Sequence, residues 1–284
     1  MWRLNGTHCG SRKMGTRKYA VVLGWLLLAG SACAQAGSQT PSTQASLASQ
    51  EPPSDSDPTQ SVFLSIRNEY FNLRGDNWTN ASILRMDRAW LKQRGWPGDK
   101  VGVLTRFDLP IVTTHVAGET RAGLGDLYAQ ALWVPWLSRR FALAMGSGVT
   151  LPTATHRTIG RGKWQAAPLI APVLFFPRRK GFFFVKVHQF VSIAGNKNRA
   201  DVNYLLVTPT LLYRFNRRWW MLVDTEAKTN WEFDNRQSYR TGFEIGHVLK
   251  SHFAVSIKPE IPWGESREGD WTLKLILTWY RTRG

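Results

Sequence analysis

Hydrophobic and polar residues alternate with a period of two along most of this chain, and clusters of turn-forming residues interrupt the alternation. Side chains of a β-strand point alternately to opposite faces, so each alternating stretch predicts a strand with one apolar and one polar face. The clearest stretch is D-W-T-L-K-L-I-L-T-W-Y-R, from Asp270 to Arg281. Trp271, Leu273, Leu275, Leu277 and Trp279 fall on one face; Thr272, Lys274, Ile276, Thr278 and Tyr280 fall on the other. Twelve strands are predicted in all: 62–72, 81–91, 99–110, 125–135, 139–148, 164–175, 181–193, 201–214, 217–227, 238–250, 252–262 and 270–281.

The spacing between these strands carries topology. The second, fourth, sixth, eighth and tenth connections (92–98, 136–138, 176–180, 215–216 and 251) are mostly short. The others (73–80, 111–124, 149–163, 194–200, 228–237 and 263–269) are mostly longer. An even strand number with short and long connections in alternation is the pattern of an outer-membrane barrel, whose periplasmic turns are tight and whose extracellular loops are not. A soluble sandwich has no reason to alternate in this way. The predicted fold class is therefore all-β: a transmembrane, antiparallel, up-and-down β-barrel of about twelve strands, with both termini in the periplasm. No run of about 18 apolar residues predicts a membrane-spanning helix.

An apolar outward face assigns the inward one. It places Lys100, Arg106 and Asp108 inward on the third strand, and Lys186 and His188 on the seventh. Asp224 and Glu226 point inward on the ninth and Glu244 on the tenth. On the last two strands His252, Ser256, Lys258 and Glu260, and then Lys274, do the same. Stretch 164–175 is nearly all apolar and carries Pro168 and Pro172, so its faces are not readable.

The N-terminus supports export. Arg17 and Lys18 precede an apolar run from Tyr19 to Gly30, and Ala34-Gln35-Ala36 fits the small-x-small cleavage pattern. This predicts a signal peptide over 1–36, cut between Ala36 and Gly37; Met14 is an alternative start. Cys33 does not make a lipoprotein, because Gly30 stands where a lipobox prefers Leu. Residues 37–60 are rich in Ser, Gln, Thr, Pro and Asp and predict a disordered periplasmic linker. Residues 61–284 are then the barrel.

Charge and cysteine usage sharpen this picture. The whole chain carries a net charge of +17. The leader holds five basic residues and no acidic one, so its removal leaves +12. A basic exported protein suits anionic lipid; nucleic acid is set aside as a partner. Both cysteines, Cys9 and Cys33, lie in the leader. The mature chain has no disulfide to stabilise it, whereas a closed barrel gains stability by leaving no strand edge unpaired.

Five short stretches, G-L-G-D-L (123–127), L-P-T-A-T (151–155), G-R-G-K-W (160–164), A-D-V-N (200–203) and T-N-W-E (229–232), occur in this order. In them the chain resembles the proteobacterial phenol meta-pathway or "neuromedin U"-type outer-membrane proteins, over about residues 60–281. The resemblance implies a small outer-membrane barrel with a transport role, sometimes linked to aromatic compounds. Two departures stand out: Gln165-Ala166-Ala167-Pro168 replaces a Gly-rich stretch, and Arg281-Thr282-Arg283-Gly284 follows Tyr280 where relatives end on an aromatic residue.

Candidate chemistry is sparse. The inward charges Asp224, Glu226, Glu244, Lys258, Glu260 and Lys274 fit either a polar pore with a selective constriction or a salt-bridged plug. The expected function is a passive channel for small solutes, aromatic or hydrophobic ones included. The alternatives are a lipid-modifying enzyme and a non-conducting structural barrel. None of the mature histidines, His115, His156, His188, His247 and His252, sits in a G-x-S-x-G or H-E-x-x-H setting, so no catalytic residue is assigned. No metal or cofactor is expected: Gly123-Leu124-Gly125-Asp126 supplies one carboxylate, too few for calcium. Basic turns at 138–140, 177–180 and 216–218 suit phosphate headgroups. The expected partners are outer-membrane lipid and lipopolysaccharide, the barrel-assembly machinery and a small solute. Loop 149–163 is long enough to fold into the barrel mouth as a constriction.

Overall fold

The computed structural model describes residues 62–93, 100–250 and 252–281. The predicted signal peptide, its cleavage site at Ala36–Gly37 and the predicted linker lie outside these residues. The described residues form thirteen antiparallel strands: β1 (Val62–Asn72), β2 (Trp78–Gln93), β3 (Lys100–Val116), β4 (Glu119–Leu124), β5 (Leu127–Leu137), β6 (Phe141–Leu151), β7 (Lys163–Phe175), β8 (Gly181–Gly195), β9 (Asn203–Arg214), β10 (Trp219–Asn230), β11 (Arg236–Lys250), β12 (Phe253–Trp263) and β13 (Trp271–Arg281). Neighbours in sequence pair in turn. β1 pairs with both β2 and β13, and β2 with β3, so the sheet closes on itself.

Thirteen strands make a twelve-stranded wall. Residues 100–108 of β3 pair with β5, and residues 111–116 of the same strand pair with β4. β4 and β5 are thus two halves of one wall strand, interrupted at Gly125-Asp126. The sequence expectation of an open loop over 111–124 is corrected here. Val116 and Glu119 are joined by a two-residue turn in which both Ala117 (φ 54°) and Gly118 (φ 79°) are left-handed. Two positive φ values in succession are the geometry of a tight hairpin turn matched to strand twist. The β-branched run Ile111-Val112-Thr113-Thr114 then continues the strand beyond its expected end.

The outward face is apolar over the middle of the wall. On β12 and β13 burial alternates without a break, with Phe253, Val255, Ile257, Ile261, Leu275 and Leu277 exposed. Trp271 and Trp279 stand eight residues apart, about 26 Å of strand at about 3.3 Å per residue. At a tilt of about 40° this crosses about 20 Å, close to the ~25 Å apolar band of outer-membrane barrels. Aromatic pairs mark the end opposite the termini: Tyr70 with Trp78 and Trp271, and Tyr239 stacked on Trp263 at 4.3 Å. Trp90, Trp133, Trp136 and Trp219 stand exposed toward the other end.

β7 resolves the face that its sequence left open. Its burial alternates regularly, with Trp164, Pro168, Pro172 and Leu174 outward and Gln165, Ala167, Leu169 and Val173 inward. The register with β6 runs unbroken through both prolines, while partners of Pro168 and Pro172 are missing from the ladder with β8. Each proline lacks an N–H, and that loss falls on one side of the strand only.

Candidate functional site: the lumen and its mouth

The inward face changes character with height. Toward the termini it is apolar. Phe63, Leu104, Leu132, Phe175, Phe182, Phe184, Leu212, Trp220 and Tyr280 belong to one buried cluster, with Phe182 stacked on Phe184 at 5.8 Å. At mid-height it is charged. Above that, Tyr128, His188, Phe190 and Tyr204 form an aromatic column: His188 lies 4.1 Å from Phe190, Phe190 stacks on Tyr204 at 4.6 Å, and Tyr128 lies 6.4 Å from His188.

All ten lumen candidates from the sequence, Arg106, Asp108, Lys186, His188, Asp224, Glu226, Glu244, Lys258, Glu260 and Lys274, lie on the inward face and are buried. Of the other inward expectations, Ser256 is buried, whereas Lys100 is half-buried and His252 is exposed in the last turn before β12. The structure joins most of the charges into two networks. On β2 and β3, Arg85 stands opposite Asp108 and Asp87 opposite Arg106. Each arginine donates two hydrogen bonds to its carboxylate, Arg85 at 2.7 and 2.6 Å and Arg106 at 2.7 and 2.9 Å. Bidentate pairs of this kind are both directional and strong.

The second network spans β10 to β1. Lys258 and Lys274 face each other across the ladder, a repulsive arrangement by itself. Glu260 lies between them, 3.1 Å from Lys258 and 2.7 Å from Lys274. Lys258 also reaches over β11 to Asp224 at 2.5 Å. That reach depends on Gly242, where a Cβ would overlap the Lys258 side chain. Arg240 stands 3.7 Å from Glu226, Lys274 3.9 Å from Glu69, and Glu69 2.8 Å from Arg67. Glu244 accepts a 3.3 Å hydrogen bond from the Trp220 indole. Lys186 occupies the inward column of β8 between Phe184 and His188.

Sequence reading missed Arg67, Glu69, Arg85, Asp87 and Arg240. The signal was present, because Arg67 and Glu69 alternate with the outward Ile66 and Tyr70 on β1. The upper aromatic column had no comparable signal, since aromatic residues suit both faces of a barrel wall.

The mouth is built by loop 152–162, which does fold inward. Ile159, only 6% exposed, packs with Ala81, Ile83 and Val112, the inward residues of β2 and β3. Asp126 accepts hydrogen bonds from the backbone of Ala154 at 3.1 Å and of Arg161 at 2.7 Å. Its carboxylate is a loop staple. Thr153 accepts from the Leu127 backbone and donates to the Gly125 carbonyl. From the neighbouring loop 196–202, the Arg199 guanidinium donates to the carbonyls of Arg157 (2.8 Å), Arg161 (3.0 Å) and Gly160. A cleft of about 280 Å³ remains between the two loops.

The five described histidines are dispersed over the barrel, each with its own partner. His115 bonds Thr120 and His156 bonds Thr158; His188 approaches Tyr128. His247 packs on Trp219 and His252 on Tyr280. Among the described residues no histidine hydrogen-bonds a serine, and no group of three or more His, Cys, Asp or Glu side chains is placed to hold a metal.

No protein-family profile and no curated protein sequence matches the chain. Solved structures similar to it in fold include the following two. An outer-membrane channel from Pseudomonas putida F1 superposes with a TM-score of 0.63 at 11% identity, over 81% of this chain and 99% of that one. The NanC porin superposes with a TM-score of 0.53 at 10% identity, over 77% of this chain and 100% of that one. At such low identity the likeness concerns the fold: the chain is a closed, twelve-stranded antiparallel barrel of the outer-membrane type.

Proposed function

We propose that this protein is a passive outer-membrane channel for small solutes, anchored by its apolar belt among outer-membrane lipid and lipopolysaccharide and placed there by the barrel-assembly machinery. The observation that carries this reading is the charged belt inside the barrel. Burying ion pairs is costly, and replacing them by well-packed apolar residues is often neutral or stabilising by about 1–4 kcal/mol. The same barrel fills its lower third with Phe, Leu and Trp. A barrel built only to be stable could fill its middle in the same way. Charges retained there suit a polar path with electrostatic selection, since charged side chains in a narrow lumen set ion selectivity. The two structures compared above, one an outer-membrane channel and the other a porin, support the same reading.

The resemblance to the phenol meta-pathway outer-membrane proteins adds aromatic or hydrophobic solutes to the candidates. The column of Tyr128, His188, Phe190 and Tyr204 offers ring faces to such solutes. A second reading, a sealed structural barrel, is favoured by the low exposure of the belt: Arg85 and Glu244 are 0% exposed.

Planar-bilayer recording on refolded protein separates the two. The channel reading expects discrete conductance steps, and a Glu244→Lys variant with shifted cation-to-anion selectivity. Bilayers that stay silent with wild-type protein would favour the sealed barrel. Silent bilayers together with cleavage of phospholipid or lipid A would instead favour an enzyme.

A further inference from the structure

The cleft at the mouth is not used by the charged belt, and its chemistry differs from the lumen below. Its walls are loops 152–162 and 196–202. Thr155, His156, Arg157, Asn196, Asn198 and Arg199 are among the residues that line it. The Asp126 carboxylate also borders it but is already engaged by two backbone N–H groups. Arg199 spends three of its five N–H donors on loop carbonyls and keeps its positive charge. Arg157 is exposed, and only its carbonyl takes part in the clamp. The cleft therefore joins two arginines and one carboxylate, a net positive charge, to neutral hydrogen-bonding side chains. Its walls are held in place before any ligand arrives, which reduces the ordering cost of binding.

We propose that this cleft is an entry site for a small hydroxylated carboxylate: Arg157 and Arg199 attract the carboxylate, and Asn198 and Thr155 take the hydroxyls. About 280 Å³ lies just below the range of about 300–1,000 Å³ for small-molecule pockets, which confines the ligand to roughly one ring. The upper end of the aromatic column lies near the cleft in sequence and space, through Arg161 between the lining residues Gly160 and Gly162. Arg161, whose backbone N–H is held by Asp126, lies 5.7 Å over the Tyr204 ring. Tyr204 stacks on Phe190 at the top of the inward column.

This inference rests on the channel reading for the ligand's passage, but binding itself is measured separately. Isothermal titration of refolded protein in detergent should show saturable binding of glucuronate. Glucose lacks the charge and benzoate lacks the hydroxyls, so both should bind at least about tenfold more weakly. Arg157→Ala should weaken glucuronate binding about tenfold, the size of one lost charge-assisted hydrogen bond, and leave the barrel folded because the clamp uses only its backbone. Asn198→Ala provides a second arm with a smaller loss. Equal binding of glucose or benzoate, or no effect of Arg157→Ala in protein that still shows the folded gel band, overturns the site. Displacement of glucuronate by lipopolysaccharide at low concentration would reassign the cleft to the membrane and also overturns it. Conductance of the same preparation without glucuronate binding rejects this site and leaves the channel standing; binding with silent bilayers rejects the channel and leaves the site.

Discussion

At the scale of single residues, Lys258 links the lumen network. It touches Asp224 and Glu260, on either side of a glycine that gives it room. Removing it leaves two carboxylates buried without their shared cation. Breaking one partner out of a buried pair costs about 3–5 kcal/mol. Lys258→Ala should therefore lower the unfolding free energy obtained from urea titration in lipid by that amount. Lys258→Met in an Asp224→Leu background should recover much of the loss, because the Asp224 carboxylate is then absent and Glu260 keeps Lys274 at 2.7 Å. A single variant as stable as wild type would show that the belt is solvated rather than buried. Which side chains face inward was legible in the sequence, through strict alternation beside Phe243, Ile245, Val255 and Ile257. The partners were not. Lys258 meets Asp224 across an intervening strand, and no spacing rule reports a contact that skips one.

At the scale of elements, loop 152–162 is held at three points at the barrel mouth. Ile159 anchors its tip among Ala81, Ile83 and Val112, and Asp126 and Arg199 hold its flanks. Ile159→Ala deletes the tip anchor, and a buried Ile→Ala change costs about 2–5 kcal/mol where the site cannot collapse. Much of that loss should appear as local opening of the loop, since the wall strands keep their ladders. The expected result is a larger or noisier single-channel conductance with an unchanged unfolding midpoint. An unaltered conductance trace would remove the loop from the conduction path. The sequence predicted a long loop here and allowed it to fold inward. It could not place the anchor, because Ile159 reads as an isolated apolar residue until β2 and β3 are closed beside it. The hairpin at 117–118 was missed for a different reason. Ala117 adopts a left-handed φ that its residue type does not advertise.

At the scale of the whole molecule, a closed sheet predicts resistance to detergent. Every wall strand has two partners, so unfolding must break the ring rather than peel an edge. Unheated protein should migrate faster than heated protein on gels and fractionate with the outer membrane. An unshifted band in the soluble periplasm would contradict a membrane barrel. Orientation is testable in the same molecule, because the predicted mature chain contains no cysteine. Thr158→Cys, in loop 152–162, should label in intact cells with an impermeant reagent. Arg217→Cys, in the opposite turn beside Arg218, should label only after the outer membrane is opened. The reverse pattern would invert the topology.

Strand number and the face assignment of most strands followed from the sequence alone. They depend on local rules: a period of two, turn residues, and the need for lipid to meet an apolar face. β7 marks the limit of that reading, because an all-apolar strand offers no contrast, and only its place between β6 and β8 shows that Pro168 and Pro172 face outward. Closure of the ring, the merging of β4 and β5 into one wall strand, the pairing of charges across Gly242 and the loop anchor at Ile159 were decided by tertiary structure. Each joins residues far apart in the chain, whose approach is set by the curvature and register of the whole wall rather than by neighbours in sequence.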